Sequence, residues 1–573
     1  MKNYDVARIL DRIADMLELK GENPYKVRAY RQVAAVVDGL TEDVEQIAVR
    51  GELLELPGVG LGISSKIQDI VRTGTTRIYD ELKSEIPDGL VEMLDLPGIG
   101  TDKIRRIYHE LGVASMDELE AAAQEGRLHT VPGIAEKTEK RILEAVTKYR
   151  RRGKRIPLFR AMPFWHSLTD ALASRSFVQK IAVAGSLRRM KDTVGDLNIV
   201  VITEDPVAFM DALESLPQVA RTLEPVDNRV RIMTNINLEA EFRFATWENW
   251  GAVFQQATGS REHNEGLRAL AENRNLRLDQ SGIYALGSDT LIHAGRDEES
   301  LYEELGLPWL PPEIREGRGE IEAALKGTLP RFISLSDIRG DLHTHTDASD
   351  GRNTIEEMAE AAKSRGYEYI AITDHSKKLT IARGLDEERL LAQVAMIREV
   401  NKHLKGIRVL TGAEVDIRLD GSLDHPDELL EQLDVVIASI HSGFNQSKEE
   451  LTARLISAIR SPHVDIIAHP TGRIIGVRDP YPLDLDAVFA AAAEHRTALE
   501  MSAFPDRLDL SDENARMAKA AGVKLAINTD SHSTEHMDVM RMGVSTALRA
   551  WLEPADILNT LSLEELLEYL DRG

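Results

Sequence analysis

The chain has 573 residues, no cysteine and a formal net charge of −25. That length exceeds what one hydrophobic core organises, so several domains are expected. The lack of cysteine excludes disulfides, thiolate zinc sites and iron–sulfur clusters, which leaves His, Asp and Glu to hold any metal. No apolar run approaches the roughly 18 residues of a membrane span, and the opening "MKNYDVARILDRIADMLELKG" reads as an amphipathic helix, not a secretory signal. A cytoplasmic protein is expected, and the acidic balance argues against one that simply coats nucleic acid.

Residues 1–155 read as short helices carrying a repeated unit: "LPGVGLGISSKI" at 56–67, "LPGIGTDKIRRI" at 96–107 and a weaker "VPGIAEKTEKRI" at 131–142. This is the helix-hairpin-helix pattern. Its glycines, Gly58 and Gly60 in one copy and Gly98 and Gly100 in the next, allow a tight turn, so that backbone N–H groups at the following helix can meet a DNA phosphate without reading bases. Lys66, Lys103 and Arg105 stand on those helices as candidate DNA contacts. The basic run "KYRRRGKR" at 148–155 is the densest cluster of positive charge, a pattern more often found on a solvated helix end than on a phosphate contact.

From about 156 to 250 apolar strands ("KIAVAGS", "LNIVVIT", "LEAEFRFA") alternate with helical stretches. Residues 251–315 are mixed and end in a Pro-rich turn, and a linker is expected at 316–335. Beyond 336, strands and helices alternate, which predicts a parallel α/β barrel whose strands are buried on both faces.

Eleven of the sixteen histidines lie in 336–573, most of them just after an apolar strand. In order they stand in "DLHTHTDASDG" (His343, His345, Asp350), "TDHS" (His375), "GAEVDI" (Glu414), "ASIHS" (His441), "AHPTGR" (His469) and "NTDSH" (Asp530, His532). The carboxyl ends of barrel strands converge, so these nine side chains should meet. Imidazole and carboxylate suit zinc, manganese or iron, and nine donors imply two or three ions. Arg473 is a candidate to reach a substrate phosphate, with bracing of its loop as the alternative. His403, His425, His463, His495 and His536 fall outside these motifs.

The order HTH–D, DH, E, H, H, D-H resembles the PHP (polymerase and histidinol phosphatase) family over all of 336–573. That resemblance implies metal-dependent phosphoester hydrolysis, with Glu414 bridging two ions and His343, His345 and Asp530 holding one of them. An amidohydrolase-like barrel also opens on His-x-His, but usually bridges its metals with a lysine, and none stands at a suitable strand end here.

The amino-terminal half, helix-hairpin-helix units followed by "GSLRRMKDTVGDLNIVV" at 185–201, resembles family X DNA polymerases. The resemblance implies triphosphate binding by Ser186 and Arg189. Through "TGSREHN" at 258–264 it implies a minor-groove contact by Asn264, and a template-strand contact by Arg268. Lys66 falls where related enzymes form a Schiff base with an abasic sugar, beside Tyr30 and Lys26, although Gly62 replaces the usual phosphate-binding lysine. The family's three metal-binding acids correspond to Asp196, Asn198 and Glu241. A neutral amide weakens the hold on a hard cation, a longer carboxylate misplaces it, and Gln256-Ala257 replaces a usual aromatic pair. Weak or lost synthesis is therefore expected, with a bifunctional gap-filling polymerase and exonuclease, or a non-catalytic binding module fused to a phosphatase, as alternatives.

Together these readings predict a multidomain α/β protein: a lyase-like helix-hairpin-helix domain at 1–80, a fingers-like one at 81–155, a nucleotidyltransferase-type palm with mixed sheet at 156–250, a thumb at 251–315, the linker, and a distorted (β/α)7 barrel of PHP type at 336–573. The expected activity is a 3′→5′ exonuclease in the barrel, with removal of 3′-phosphates or cutting at abasic sites as further candidates. Mn²⁺ or Zn²⁺ would serve the barrel, and Mg²⁺ or Mn²⁺ is doubtful at the palm. The expected partners are gapped or nicked DNA and a deoxynucleoside triphosphate, for a monomer that does not engage a membrane.

Overall fold

The computed structural model describes residues 3–571 apart from 39, 41–43, 95, 97–98, 153–154, 224–227 and 237. It divides into two compact units, Met1–Lys154 and Arg155–Gly573.

The first unit is helical. Its helices α1 (Asn3–Leu19), α2 (Pro24–Asp38), α3 (Leu61–Thr73), α4 (Thr101–Leu111) and α5 (Glu136–Arg152) surround a core that includes Leu10, Ile13, Val33, Ile67, Ile104 and Val146. Gly58 sits at φ +79° and Gly60 caps α3 with extended backbone, as the hairpin turn requires. Gly100 caps α4 in the same way, and Gly74 and Gly112 end the two helices in the left-handed conformation that a Cβ disfavours. Gly98 and most of the basic run's side chains lie outside the described residues.

In the second unit, strands β1 (Val178–Val183), β2 (Asp196–Thr203), β3 (Val219–Thr222), β4 (Arg229–Thr234) and β5 (Glu239–Phe244) form one mixed sheet in the order β1-β2-β5-β4-β3. Only β2 and β5 run parallel, in a register that sets Asp196 beside Glu239 and Asn198 beside Glu241. A short helix, α6 (Gly185–Arg188), leads into β2. Gly185 is at φ +63°, and a Cβ there would come within 2.8 Å of Asn198 Nδ2, so the glycine lets β2 pass close beneath the helix. Helices α7 (Trp250–Thr258), α8 (Arg261–Asn273) and α9 (Glu298–Glu304) follow, with a three-stranded antiparallel sheet of β6 (Leu276–Asp279), β7 (Gly282–Ala285) and β8 (Leu291–His293).

The segment expected as a linker is structured. It carries α10 (Glu320–Lys326); Glu320 is buried against His263, with 2.6 Å between Oε1 and Nδ1, and Ile321 joins the core around α8 and α9. Four ion pairs explain the departure: Glu316 pairs with Arg189 and Arg549, and Arg318 with Asp512 and Glu513. A flexible tether cannot hold such partners on both sides.

Seven further strands, β9 (Gly340–Thr344), β10 (Tyr369–Ile372), β11 (Arg408–Asp416), β12 (Val435–Ser439), β13 (Ile466–Ile467), β14 (Ala498–Ser502) and β15 (Leu525–Asn528), form one parallel sheet in sequence order. A parallel bridge between Thr344 and Ser531 brings the first strand's end to the last, so the sheet curves into a near-barrel. Nearly every strand residue is buried, because crossover helices cover the outer face. Those helices begin where the sequence offers caps: Thr354 with Glu357, and Ser447 with Glu450, form capping boxes at Ile355–Ser364 and Lys448–Ile459. The barrel also packs on the mixed sheet, where Ile475, Leu508 and Met542 complete the core around Leu197, Ile199 and Phe242.

Candidate metal centre

All nine barrel residues converge at the carboxyl ends of the strands. His343 and His345 are two apart on an extended segment and share a face. Glu414 lies between two groups of imidazoles. Its Oε2 is 3.5 Å from His343 Nε2, 3.7 Å from His345 Nε2 and 2.7 Å from His375 Nδ1. Its Oε1 is 3.3 Å from His441 Nε2 and 3.2 Å from His469 Nε2. Asp530 Oδ1 faces His345 at 3.2 Å and His343 at 3.6 Å, while Asp350 faces His532 at 3.4 Å and His375 at 3.6 Å. Among the described residues, three overlapping groups could hold an ion: His345–Asp350–His375–His532, His343–His345–Asp530 and His375–Glu414–His441.

Whether ions fit can be judged from hydrogen bonding. Buried polar atoms are normally paired. Here His343 Nε2, both ring nitrogens of His345, His375 Nδ1, His469 Nδ1 and both oxygens of Glu414 are buried without a bond of acceptable geometry. So many lone pairs aimed inward would be costly in a metal-free design, and the imidazole–carboxylate chemistry suits a divalent transition metal. The donor set fits the ions expected from the sequence.

Charge explains the rest. Burial opposes protonation of His441 and His532, but Glu414 and Asp416 push the first up to about 10, and Asp350 and Asp530 push the second to about 9. Burial and the neighbouring His532 and His375 push His345 down to about 4. Glu414 and Asp530 are held well below the usual carboxylate range: burial works against this, and the surrounding histidines outweigh it. Asp530 and His469 also adopt positive φ, at +53° and +28°, a strain typical of functional positions.

Three partners were not anticipated from sequence. Glu500, in the middle of β14, accepts from His343 Nδ1 at 2.8 Å and from the His469 amide at 2.7 Å, which points His343 Nε2 into the centre. Asp416 stands 3.3 Å from His441 Nδ1, and Arg507 Nε stands 3.8 Å from Asp530 Oδ2. An acid inside the apolar run "TALEMSA" was the available signal for Glu500. Of the two roles left open for Arg473, bracing of its loop is the one its bonds favour: its guanidinium donates to the carbonyls of Arg507 and Leu508 and pairs with Asp192 at 3.0 Å, so each of its three nitrogens has a partner.

On the mixed sheet, Asp196, Asn198 and Glu241 do share one face, with Glu239 as a neighbouring acid that sequence reading overlooked. Asn198 Nδ2 donates to Asp196 Oδ2 at 2.9 Å, and Glu241 accepts from Arg243 at 2.7 Å with Arg229 at 3.9 Å. Ser186 Oγ is buried and unpaired. Arg189 pairs with Glu316 at 2.9 Å and donates to the Thr258 carbonyl. Asn264 bonds Gln255 and the Gln256 carbonyl, and Arg268 donates to the Asn264 carbonyl at 3.1 Å.

In the helical unit Lys66 folds back onto the Gly62 carbonyl at 2.7 Å, and Arg105 pairs with Asp102 at 3.0 Å. Lys103 stands on the first turn of α4. Tyr30 is buried, which pushes its hydroxyl up to about 12, and Lys26 is exposed with Glu22 3.8 Å away. Among the described residues no helix is long and apolar enough to cross a membrane.

Fold and centre together define a class: a multidomain metal-dependent phosphoesterase of PHP type carrying polymerase-type modules. Family models agree. Helix-hairpin-helix domains match 1–76 and, as a SAM-like tandem, 90–148; the DNA polymerase beta thumb matches 253–316; and the PHP domain matches 341–528. The DNA polymerase/3′-5′ exonuclease PolX of Bacillus subtilis (strain 168) is 38% identical over 575 residues, covering all of both chains. Probable phosphatases of Acetivibrio thermocellus (35% over 243 residues) and Caldicellulosiruptor saccharolyticus (34% over 241) each match 40% of this chain over 95% of their own length. The chain belongs to the PolX family of DNA polymerase/3′-5′ exonucleases, and it is an enzyme of that family.

Proposed function

We propose that the chain is a bifunctional DNA-repair enzyme in which excision is carried by the barrel, with gap filling at the mixed sheet slower than excision. The observation that carries the first part is the convergence of nine donor residues, six of them buried and five of them carrying buried unpaired atoms. His343, His345, Asp350, His375, Glu414, His441, His469, Asp530 and His532 would hold the ions, with Glu414 offering one oxygen to each side. Bound divalent ions supply Lewis-acid stabilisation of phosphoryl charge and a more acidic water. The chain's own part is to fix that array: Glu500 orients His343, the apolar strands exclude bulk water, and the helical hairpins hold the DNA backbone without sequence preference.

The name of the Bacillus relative carries both activities, which supports retained synthesis over its loss. Asp196 and Glu241 remain on the proper face for it. The Asn198 amide and the arginines around Glu241 weaken the hold on a cation there, and this supports a slow rate rather than none. Lyase chemistry at Lys66 and action on 3′-phosphates or abasic sites remain secondary proposals resting on the same resemblance.

The test is degradation of 3′-labelled DNA in Mn²⁺. The wild-type chain is expected to shorten the strand, and His343→Ala combined with His345→Ala to abolish this. Full activity in the double variant contradicts the assignment.

A further inference from the structure

We infer that Arg507 is a catalytic residue of the barrel centre, a cation that grips the non-bridging oxygens of the phosphate being cut. The inference rests on the excision reading above. Arg507 Nε lies 3.8 Å from Asp530 Oδ2, and the other oxygen of that carboxylate faces His343 and His345. Its guanidinium is therefore one carboxylate away from the donor cluster. Among the described residues it has this single ion pair and no hydrogen bond, and its side chain is 21% exposed. A planar fork that keeps its proton at any working pH, with unused N–H groups beside a phosphoesterase centre, is suited to bidentate phosphate recognition.

Neighbouring cations cannot take this role. Arg473 has all three nitrogens committed, and Arg478 donates to the Gly472 carbonyl while covering the Phe444 ring at 4.3 Å. Arg473 instead presents Arg507. It holds the carbonyls of residues 507 and 508, the Ile475 amide holds the Asp506 carbonyl at 2.6 Å, and the Arg507 amide donates to Phe504 at 2.9 Å. Leu508 is buried in the core of the mixed sheet, so the loop is fixed from both sides. Such presetting is what a transition-state donor needs.

In the reaction, water oxygen bonds to phosphorus and the bond from phosphorus to the 3′-oxygen of the preceding nucleotide breaks. That oxygen takes up a proton, and a nucleoside 5′-monophosphate leaves. Negative charge grows on the phosphoryl oxygens as these bonds exchange, and the Arg507 fork meets it.

Arg507→Ala and Arg507→Lys in the full-length enzyme test this. Excision kinetics, inhibition by inorganic phosphate and metal content would be measured beside the His343→Ala, His345→Ala double variant. Arg507→Ala is expected to lower kcat/KM about 100-fold and to weaken phosphate inhibition about tenfold, with metal content unchanged. Lysine should restore part of both. Unchanged kinetics and phosphate inhibition in Arg507→Ala, or metal lost in step with activity, would overturn the role. The histidine variant separates the two levels: its inactivity beside an unaffected Arg507→Ala refutes only this inference, whereas its full activity refutes the excision reading itself.

Discussion

The barrel gathers its acids towards the carboxyl ends of its strands and the mixed sheet gathers its own in the first residues of β2 and β5, and the two treat those acids differently. In the barrel, both oxygens of Glu414 and ring nitrogens of His343, His345, His375 and His469 are buried without a hydrogen bond. On the sheet, Asp196 is engaged by an amide and Glu241 by arginines, in a more exposed setting. Buried donors left unpaired cost stability, so they persist only where a ligand completes them. Donors already matched by the protein's own cations and amides compete with an incoming metal. On the proposed reading, the contrast separates a strong centre from a weaker one within a single chain.

The sharpest way to break the contrast is Glu414→Gln. Replacing the carboxylate that faces both histidine groups should cost several kcal/mol of metal-derived stabilisation, so excision should fall about 1,000-fold or more; residual excision within tenfold of wild type would deny Glu414 its bridging place. Next is a structural counterpart, Glu298→Gln. Glu298 is buried between Arg188 and Arg315 and is held down to about 2: burial opposes its charge, and the two guanidiniums outweigh that. Leaving them without a counter-charge should cost about 3–5 kcal/mol, read by denaturant titration. A loss below about 1 kcal/mol would mean that the pair contributes little.

A smaller effect sharpens the weaker side. Asn198→Asp should raise primer extension across a one-nucleotide gap about tenfold, equivalent to about 1.4 kcal/mol, and leave excision unchanged. No gain would show that the amide is not what limits synthesis. The smallest expected change is in pH dependence after metal is stripped. The protonated forms of His441 and His532 stabilise the fold fully below the unfolded value of about 6.5, and that contribution is lost as pH rises through about 9 to 10. His345, depressed to about 4, acts oppositely as pH falls below about 6.5. Metal-free protein should therefore have its highest Tm near pH 6.5 and decline towards 10, whereas metal-loaded protein, whose histidines bind as neutral ligands, should hold its Tm over that interval. Parallel curves for the two forms would contradict the linkage.

Much of the barrel centre was legible because its ligands follow apolar strands one after another, and strand ends in such a fold must converge. The helical hairpins were legible for a similar local reason, since their glycines announce the turn. What sequence could not reveal were partners set by packing between distant segments. Arg473 finds Asp192 across 281 positions, and Arg549 finds Glu316 across 233, so the role of Arg473 stayed open between loop brace and phosphate contact and an ordered segment looked like a linker. Arg507 escaped notice because "FPDRLDL" carries no motif; its meaning lies in the Asp530 carboxylate beside it.

The most direct test of two separate chemistries is a single gapped substrate on which extension and excision are followed together. Asp196→Ala is expected to abolish extension and leave excision within twofold of wild type, a difference of about 0.4 kcal/mol, while His343→Ala with His345→Ala should abolish excision and leave extension intact. Loss of excision in Asp196→Ala, or its survival in the histidine double variant, would contradict the division of labour between sheet and barrel.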